Sequence, residues 1–256
     1  MTGWSPAAGI EGKAVLVTGA AGGIGSAVAA AFATAGARVA VHDLHDDPVA
    51  EVLAGLDGEG HIAFAGDLRD PAEPAALVDA AREALGRINA LVHVAAVLVR
   101  RAELRDVTLE DVDLQQEVNL RAAFLLGRAA AEAMREQGGG GRIVNFTSQG
   151  WWTGGFGGSV VYAATKGGVV SMTRGLARSY GPDAILVNAI APGAVDTPML
   201  TDDLSEEALA SFVDQIPLGR VAAPAELAGV AVFLVSDHAS YISGATINVT
   251  GAQLMY

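Results

Sequence analysis

Two textures alternate along this chain. Short apolar runs, rich in β-branched residues and ended by glycine or an acid, read as buried strands. They are expected at Ala14–Thr18, Arg38–Asp43, His61–Gly66, Ala90–Ala95, Ile143–Thr147, Ala184–Ile190 and Thr246–Val249. Between them, apolar and small residues recur at the three-to-four spacing of a helix face. That spacing predicts helices over Ser26–Ala35, near Pro48–Gly55, over Pro71–Leu85, from about Leu109 to Arg135, from Tyr162 past Leu176, and over Pro224–Ser236. A further helical excursion occupies Pro198–Gln215, and Gly36 and the run Gly138–Gly141 act as helix stops.

Strictly alternating strands and helices, with strands apolar throughout, imply a parallel sheet covered on both faces. Right-handed crossovers then give an α/β fold: a doubly wound, Rossmann-type parallel sheet of about seven strands flanked by helices on both faces. No linker or low-complexity tract interrupts the pattern, so residues 1–256 read as a single domain.

Composition narrows the function classes. Half the residues are apolar, enough for a sizeable core. The absence of cysteine removes disulfides, thiolate metal sites and a cysteine nucleophile, and fits a cytoplasmic setting. A formal net charge of −13 argues against nucleic-acid and anionic-membrane partners, leaving small molecules. The uncharged run Ala14–Ala37 is too rich in glycine and alanine, and too close to Glu11, to read as an export signal or a membrane span.

Chemistry concentrates first between strand one and helix one, in Gly19-Ala20-Ala21-Gly22-Gly23-Ile24-Gly25. Glycines there let the backbone approach a pyrophosphate, and the helix N-terminus offers free N–H groups and a positive dipole end. Such a turn also serves ordinary chain reversals, so Asp43 matters. It ends the second strand about 20 residues on, where a carboxylate bonds the adenosine ribose hydroxyls and repels a 2′-phosphate. No lysine or arginine follows on the next loop, and Arg38 lies at the far end of the strand, so NAD(H) is expected over NADP(H). Asp67, before Leu68, is placed either to meet the adenine or to cap the following helix. His42, His45, Asp46 and Asp47 cluster in sequence but point in divergent directions, so a solvated acidic loop and no metal is the reading.

The second concentration runs from Ser148 to Lys166. Tyr162 and Lys166 are four apart on a predicted helix and share a face. A phenol titrates near pH ~10, and a nearby ammonium pulls that value down, making a tuned proton donor or acceptor. Ser148, at the C-terminal edge of a strand, is free to steady the reacting oxygen. A tyrosine and lysine at this spacing are also common structural neighbours, so the surrounding motifs carry the weight.

Together, Thr18-Gly19-Ala20-Ala21-Gly22-Gly23-Ile24-Gly25, Asp43, Asp67-Leu68, Asn119, Ser148, Tyr162-Ala163-Ala164-Thr165-Lys166, Asn188 and Pro192-Gly193-Ala194-Val195-Asp196-Thr197 resemble the short-chain dehydrogenase/reductase superfamily over essentially the whole chain. The resemblance implies that Tyr162 is the general acid for ketone reduction and the general base for alcohol oxidation. Ser148 would hydrogen-bond the reacting oxygen. Lys166 would hold the nicotinamide ribose and lower the Tyr162 pKa. Asn119 would kink its helix and hold a water leading from Lys166 to solvent. Val195 and Thr197 would contact the carboxamide, and Gly19, Ala21, Gly22, Gly23, Ile24, Gly25 and Ala95 would cradle the rest of an NAD cofactor. Two stretches depart from the family pattern: His93-Val94-Ala95-Ala96 replaces Asn-Asn-Ala-Gly, and Asn248-Val249-Thr250-Gly251-Ala252 replaces Val-Asp-Gly-Gly.

The expected substrate pocket comprises Ser148, Trp152, Phe156, Tyr162 and Met199, with Trp151 on the same loop and Phe212-Val213 in the lid. Such a pocket suits a hydrophobic or cyclic secondary alcohol or ketone. The tryptophans alternatively pack on a neighbouring subunit, since the resemblance implies a homotetramer, with Val169–Leu176 and Ala239–Tyr256 as candidate interfaces. Two further functions fit the resemblance: an NADPH-dependent 3-oxoacyl carrier-protein reductase, and a non-catalytic dinucleotide sensor.

Overall fold

The computed structural model describes residues 5, 7–156, 158–201 and 205–256, the side chain of Glu206 excepted. The chain runs β1 (Ala14–Thr18), α1 (Gly23–Thr34), β2 (Arg38–Asp43), α2 (Asp46–Ala54), β3 (Ile62–Ala65), α3 (Glu73–Leu85) and β4 (Ala90–His93). It continues through α4 (Leu109–Gln116), a π-helical turn (Glu117–Arg121), α5 (Ala122–Gln137), β5 (Gly141–Phe146), α6 (Gly150–Thr153), α7 (Val160–Tyr180) and β6 (Ile185–Pro192). Then follow α8 (Pro198–Thr201), α9 (Glu206–Val213), α10 (Pro224–Val235) and β7 (Thr246–Val249).

The seven strands form one parallel sheet in the order β3-β2-β1-β4-β5-β6-β7. Strand side chains alternate between its faces, so each strand feeds two cores. Val15, Val17, Val39 and Val41 pack with α1 and α10 through Val28, Phe32 and Leu227. Leu16, Leu91 and Ile143 pack on the other face with Leu77 of α3, Leu126 of α5 and Leu176 of α7. Burying each such side chain contributes about 1.5–3 kcal/mol, which is why the strands read as apolar runs rather than alternating ones.

The winding reverses between β1 and β4, so the crevice beyond their C-terminal ends is the place for a ligand. Element boundaries shift at that edge. β4 ends at His93 rather than Ala95, because Gly19 turns against Ala95: a Cβ on Gly19, at φ +70°, would meet the Ala95 nitrogen at 2.5 Å. The long predicted helix is broken into α4 and α5 by the π-helical turn that carries Asn119. β6 runs on to Pro192 because β7 pairs with it there, Pro192 opposite Val249.

One row of the sheet is polar. Register places Thr18 of β1 between His42 of β2 and His93 of β4, with Asn145 of β5 next to His93. All four are buried, on the face covered by α3, α5 and α7. His42 therefore belongs to the sheet interior, not to the solvated acidic loop expected from its neighbours.

Candidate active site

A cleft of about 1240 Å³ follows the C-terminal strand edges, larger than a typical small-ligand pocket of about 300–1,000 Å³. At one end lies the glycine turn. Gly22 caps α1 without a side chain, and the first turn of the helix holds no acid, leaving its N–H groups for an anion. The turn is tight enough to require glycine. A Cβ on Gly25 would lie 1.9 Å from the Gly19 carbonyl oxygen, and one on Gly23 2.8 Å from the Thr197 methyl. Asp43 is stitched to this turn, one carboxylate oxygen accepting from the Ala21 amide at 2.8 Å and the other from the Leu44 amide at 2.7 Å. A carboxylate has about four acceptor positions, so two remain for ribose hydroxyls. An uncapped helix start, a glycine cradle and an acid at the end of β2 fit a dinucleotide.

Every nucleotide-site residue named from the sequence lines this cleft, Asp67, Leu68, Ala95, Val195 and Thr197 included. Asp67 does not cap a helix, since α3 begins only at Glu73. Its carboxylate instead accepts from Arg69, whose Nε lies 2.8 Å away, and that guanidinium holds the carboxyl below its usual range. Arg69 also lines the cleft, a cation unforeseen from sequence because it reaches the site by pairing across a turn.

At the other end stand Ser148, Tyr162 and Lys166. The Ser148 hydroxyl accepts from the Gly150 amide at 3.1 Å and faces Tyr162 closely enough to favour its phenolate. Tyr162 keeps partial exposure to the cleft, yet its hydroxyl lies deep enough that burial pushes its pKa up to about 12. The nearby Ser148 hydroxyl and the Arg100 charge pull in the lowering direction and lose to desolvation. The expected lowering by Lys166 is absent. Its ammonium sits 5.5 Å over the Tyr162 ring and donates to the Phe146 carbonyl at 2.8 Å, and burial brings its own pKa down to about 7.

Asn119 is buried next to the cleft and not among its lining residues. Its amide donates to the Val97 carbonyl at 2.9 Å and to Thr165 at 3.3 Å, and its oxygen accepts from the Val97 amide at 2.8 Å. It thereby ties the π-helical turn to the loop after β4. That loop is pinned again by Arg101, which makes a two-pronged ion pair with Asp111 at 2.7 Å, Asp111 being also part of the α4 capping box.

Phe156 and Met199 line the cleft as expected, and Phe156 meets Phe212 edge-on at 6.0 Å across its mouth. Trp152 does not. It turns away on the short helix α6, 58 % exposed, its ring beside Trp151 and Tyr256. Residue 156 lies past two left-handed glycines, Gly154 and Gly155, which reverse the chain and send Phe156 inward while Trp152 stays outside. Gln149 is another cleft residue the sequence reading passed over; a lone glutamine beside a serine carries no signal of its own.

Comparison with known proteins agrees with this arrangement. A family model described as enoyl-(acyl carrier protein) reductase matches residues 19–251. The chain is 40% identical over 247 residues to D-threitol dehydrogenase of Mycolicibacterium smegmatis, covering 94% of this chain and 93% of that one. It is 38% identical to an L-rhamnose 1-dehydrogenase (NAD(P)(+)) of a Sphingomonas species, covering 94% and 96%. A solved 3-ketoacyl-(acyl-carrier-protein) reductase from Brucella melitensis, complexed with NADH, superposes with a TM-score of 0.89 at 34% identity, covering 96% and 100%. A putative short-chain alcohol dehydrogenase from Sinorhizobium meliloti gives the same TM-score at 37% identity, covering 95% and 96%. A seven-stranded doubly wound sheet, a dinucleotide cradle and matches of this extent establish that the chain belongs to the short-chain dehydrogenase/reductase superfamily, oxidoreductases that interconvert alcohols and ketones.

Proposed function

We propose that this protein is an NAD(H)-dependent oxidoreductase that interconverts a secondary alcohol and a ketone, with Tyr162 as the general acid/base. The observation that carries the reading is that Ser148 and Tyr162 together line one end of the cleft whose other end holds the uncapped α1 start and Asp43. A nicotinamide bound there supplies the hydride acceptor or donor. The chain's own residues supply position and one proton. With its pKa pushed up, Tyr162 rests as the neutral phenol and holds its proton at the hydroxyl, ready for a ketone oxygen. Ser148 orients that oxygen and lowers the cost of phenolate when the reaction runs towards oxidation. Residues Gly22 to Gly25 would hold the pyrophosphate, Asp43 the adenosine ribose, and Lys166 the nicotinamide ribose. Phe156, Met199 and Phe212 offer an apolar wall that suits a hydrophobic or cyclic small molecule. In this reading residues 1–256 act as one unit and assemble as a homotetramer.

The test is NADH against NADPH binding to the purified protein, followed by a turnover screen of secondary alcohols and ketones. Like-charge repulsion between Asp43 and a 2′-phosphate costs several kcal/mol, so NADH should bind on the order of 100-fold tighter. Asp43→Ala should relax that preference. A preference for NADPH would favour a 3-oxoacyl carrier-protein reductase. Tight NADH binding without turnover on any compound tried would favour a dinucleotide sensor.

A further inference from the structure

The stretch Asn248–Ala252, which departs from the family pattern, shapes the residues that follow it. The Thr250 hydroxyl donates to the Leu254 carbonyl at 3.0 Å and accepts from the Leu254 amide at 3.3 Å. Asn248 donates its amide to the same carbonyl. Ala252 takes a left-handed φ of +66°, a conformation unusual for a residue with a Cβ, and the chain doubles back there.

That reversal lays residues 253–256 along the segment after Ser148. Gln149 is 5 % exposed, and its side-chain amide donates to the side-chain oxygen Oε1 of Gln253 at 2.9 Å. Its backbone N–H donates to Pro192 at 2.8 Å. The Trp151 indole donates to the Tyr256 hydroxyl at 3.2 Å, with the two rings edge-on at 4.8 Å. Between these two anchors lies Gly150, whose N–H donates to the Ser148 hydroxyl oxygen.

We infer that residues Gln253–Tyr256 are a positioning element for Ser148, acting through Gln149 and Trp151 on the Gly150 amide. The inference rests on the reading above of Ser148 and Tyr162 as the proton-handling pair. Its physical basis is one buried side-chain hydrogen bond, the Gln149 oxygen and the Gln253 amide nitrogen having no partner among the described residues. Gln149 is buried and keeps its side-chain N–H bonded through Gln253, so removing that partner strands a donor and favours a shifted segment. Residues 253–256 do not line the cleft, so the nucleotide end is untouched by the change.

The experiment compares Gln253→Ala and Tyr256→Ala with the conservative Gln253→Glu and Tyr256→Phe. Gln253→Glu keeps an acceptor for Gln149, and Tyr256→Phe keeps the ring on Trp151. Three readouts are taken: hydrogen–deuterium exchange over residues 147–153, NADH affinity by fluorescence titration, and cyclohexanol oxidation by NAD as a function of pH. The alanine variants should exchange faster over 147–153, bind NADH unchanged, and lose about 10- to 100-fold in kcat, the size expected for a small misplacement of a reacting group. Their rate should also rise at higher pH than in the parent, because a loosened Ser148 no longer lowers the Tyr162 pKa. The conservative variants should retain most of the rate. Unchanged exchange overturns the proposal, and so does faster exchange with unchanged kcat and pH profile. Faster exchange in a protein whose parent oxidises no alcohol would instead sink the functional reading and leave the brace standing.

Discussion

Two imidazoles sealed inside the sheet should make this protein lose stability in mild acid. His42 and His93 flank Thr18, both buried, with His93 Nδ1 2.7 Å from the Thr18 hydroxyl. Burial brings His42 down to about 4 and His93 to about 3, with the neighbouring Lys166 charge helping to depress His93. Asp43 and the Gly66 backbone pull His42 the other way and lose. In the unfolded chain both titrate near ~6.5. Between that value and the folded ones the unfolded state binds more protons, so stability is full above about pH 6.5 and falls as pH drops. At pH 5 the gap is about 1.5 units per histidine, or about 2 kcal/mol each at 1.36 kcal/mol per unit, about 4 kcal/mol together. That is a large fraction of a typical 5–15 kcal/mol stability. Acidification also reduces the net charge of −13, which acts in the stabilising direction, so the comparison must be differential. Urea unfolding at pH 7 and pH 5, at fixed protein concentration, is compared between the parent and a His42→Gln, His93→Asn double variant. The parent should lose about 4 kcal/mol more than the variant over that interval. Equal losses would refute the assignment of neutral buried imidazoles, and His93→Asn alone should remove about half the difference.

Four further outcomes follow from the site. Tyr162→Phe should abolish turnover while NADH titration remains that of the parent, because the ring stays and only the exchanging proton goes. Gly25→Ala should cost at least the ~1–3 kcal/mol typical of overpacking, because the new Cβ meets a backbone carbonyl that has no rotamer to yield; a thermal melt with and without NADH checks it. Phe156→Ala should raise KM for cyclohexanol more than for a small polar alcohol, whereas Trp152→Ala should show no such selectivity, as Steady-state kinetics on both substrates would reveal. Asp111→Asn removes the pair that anchors Arg101 and should raise KM with kcat little changed, since it loosens the cleft wall without touching Ser148 or Tyr162.

Much of this was legible in one dimension because the physics is local. Burial on both faces makes β1 a continuous apolar run, glycine is the residue that Gly25's contact with the Gly19 carbonyl allows, and i,i+4 spacing places Tyr162 and Lys166 on one helix face. What the sequence left open or misplaced turned on side-chain pairing and backbone turns that hydrophobic periodicity does not show. Asp67 could be read as a cap until Arg69 was seen holding it, and Trp152 as a pocket wall until two left-handed glycines turned Phe156 inward instead. The Tyr162 pKa is the sharpest case. Sequence proximity to Lys166 argues for lowering, but the dielectric around the hydroxyl is set by every chain segment that closes over it, and desolvation wins. The sequence by itself thus determined the order of elements, the glycine cradle and the set of reactive groups, because periodicity and backbone sterics act within a few residues. The tertiary structure alone decided the polar row through Thr18, the reach of residues 253–256 to Gln149, and the direction in which burial moves the pKa of Tyr162 and Lys166, because contact and solvent exclusion join residues that the chain keeps far apart.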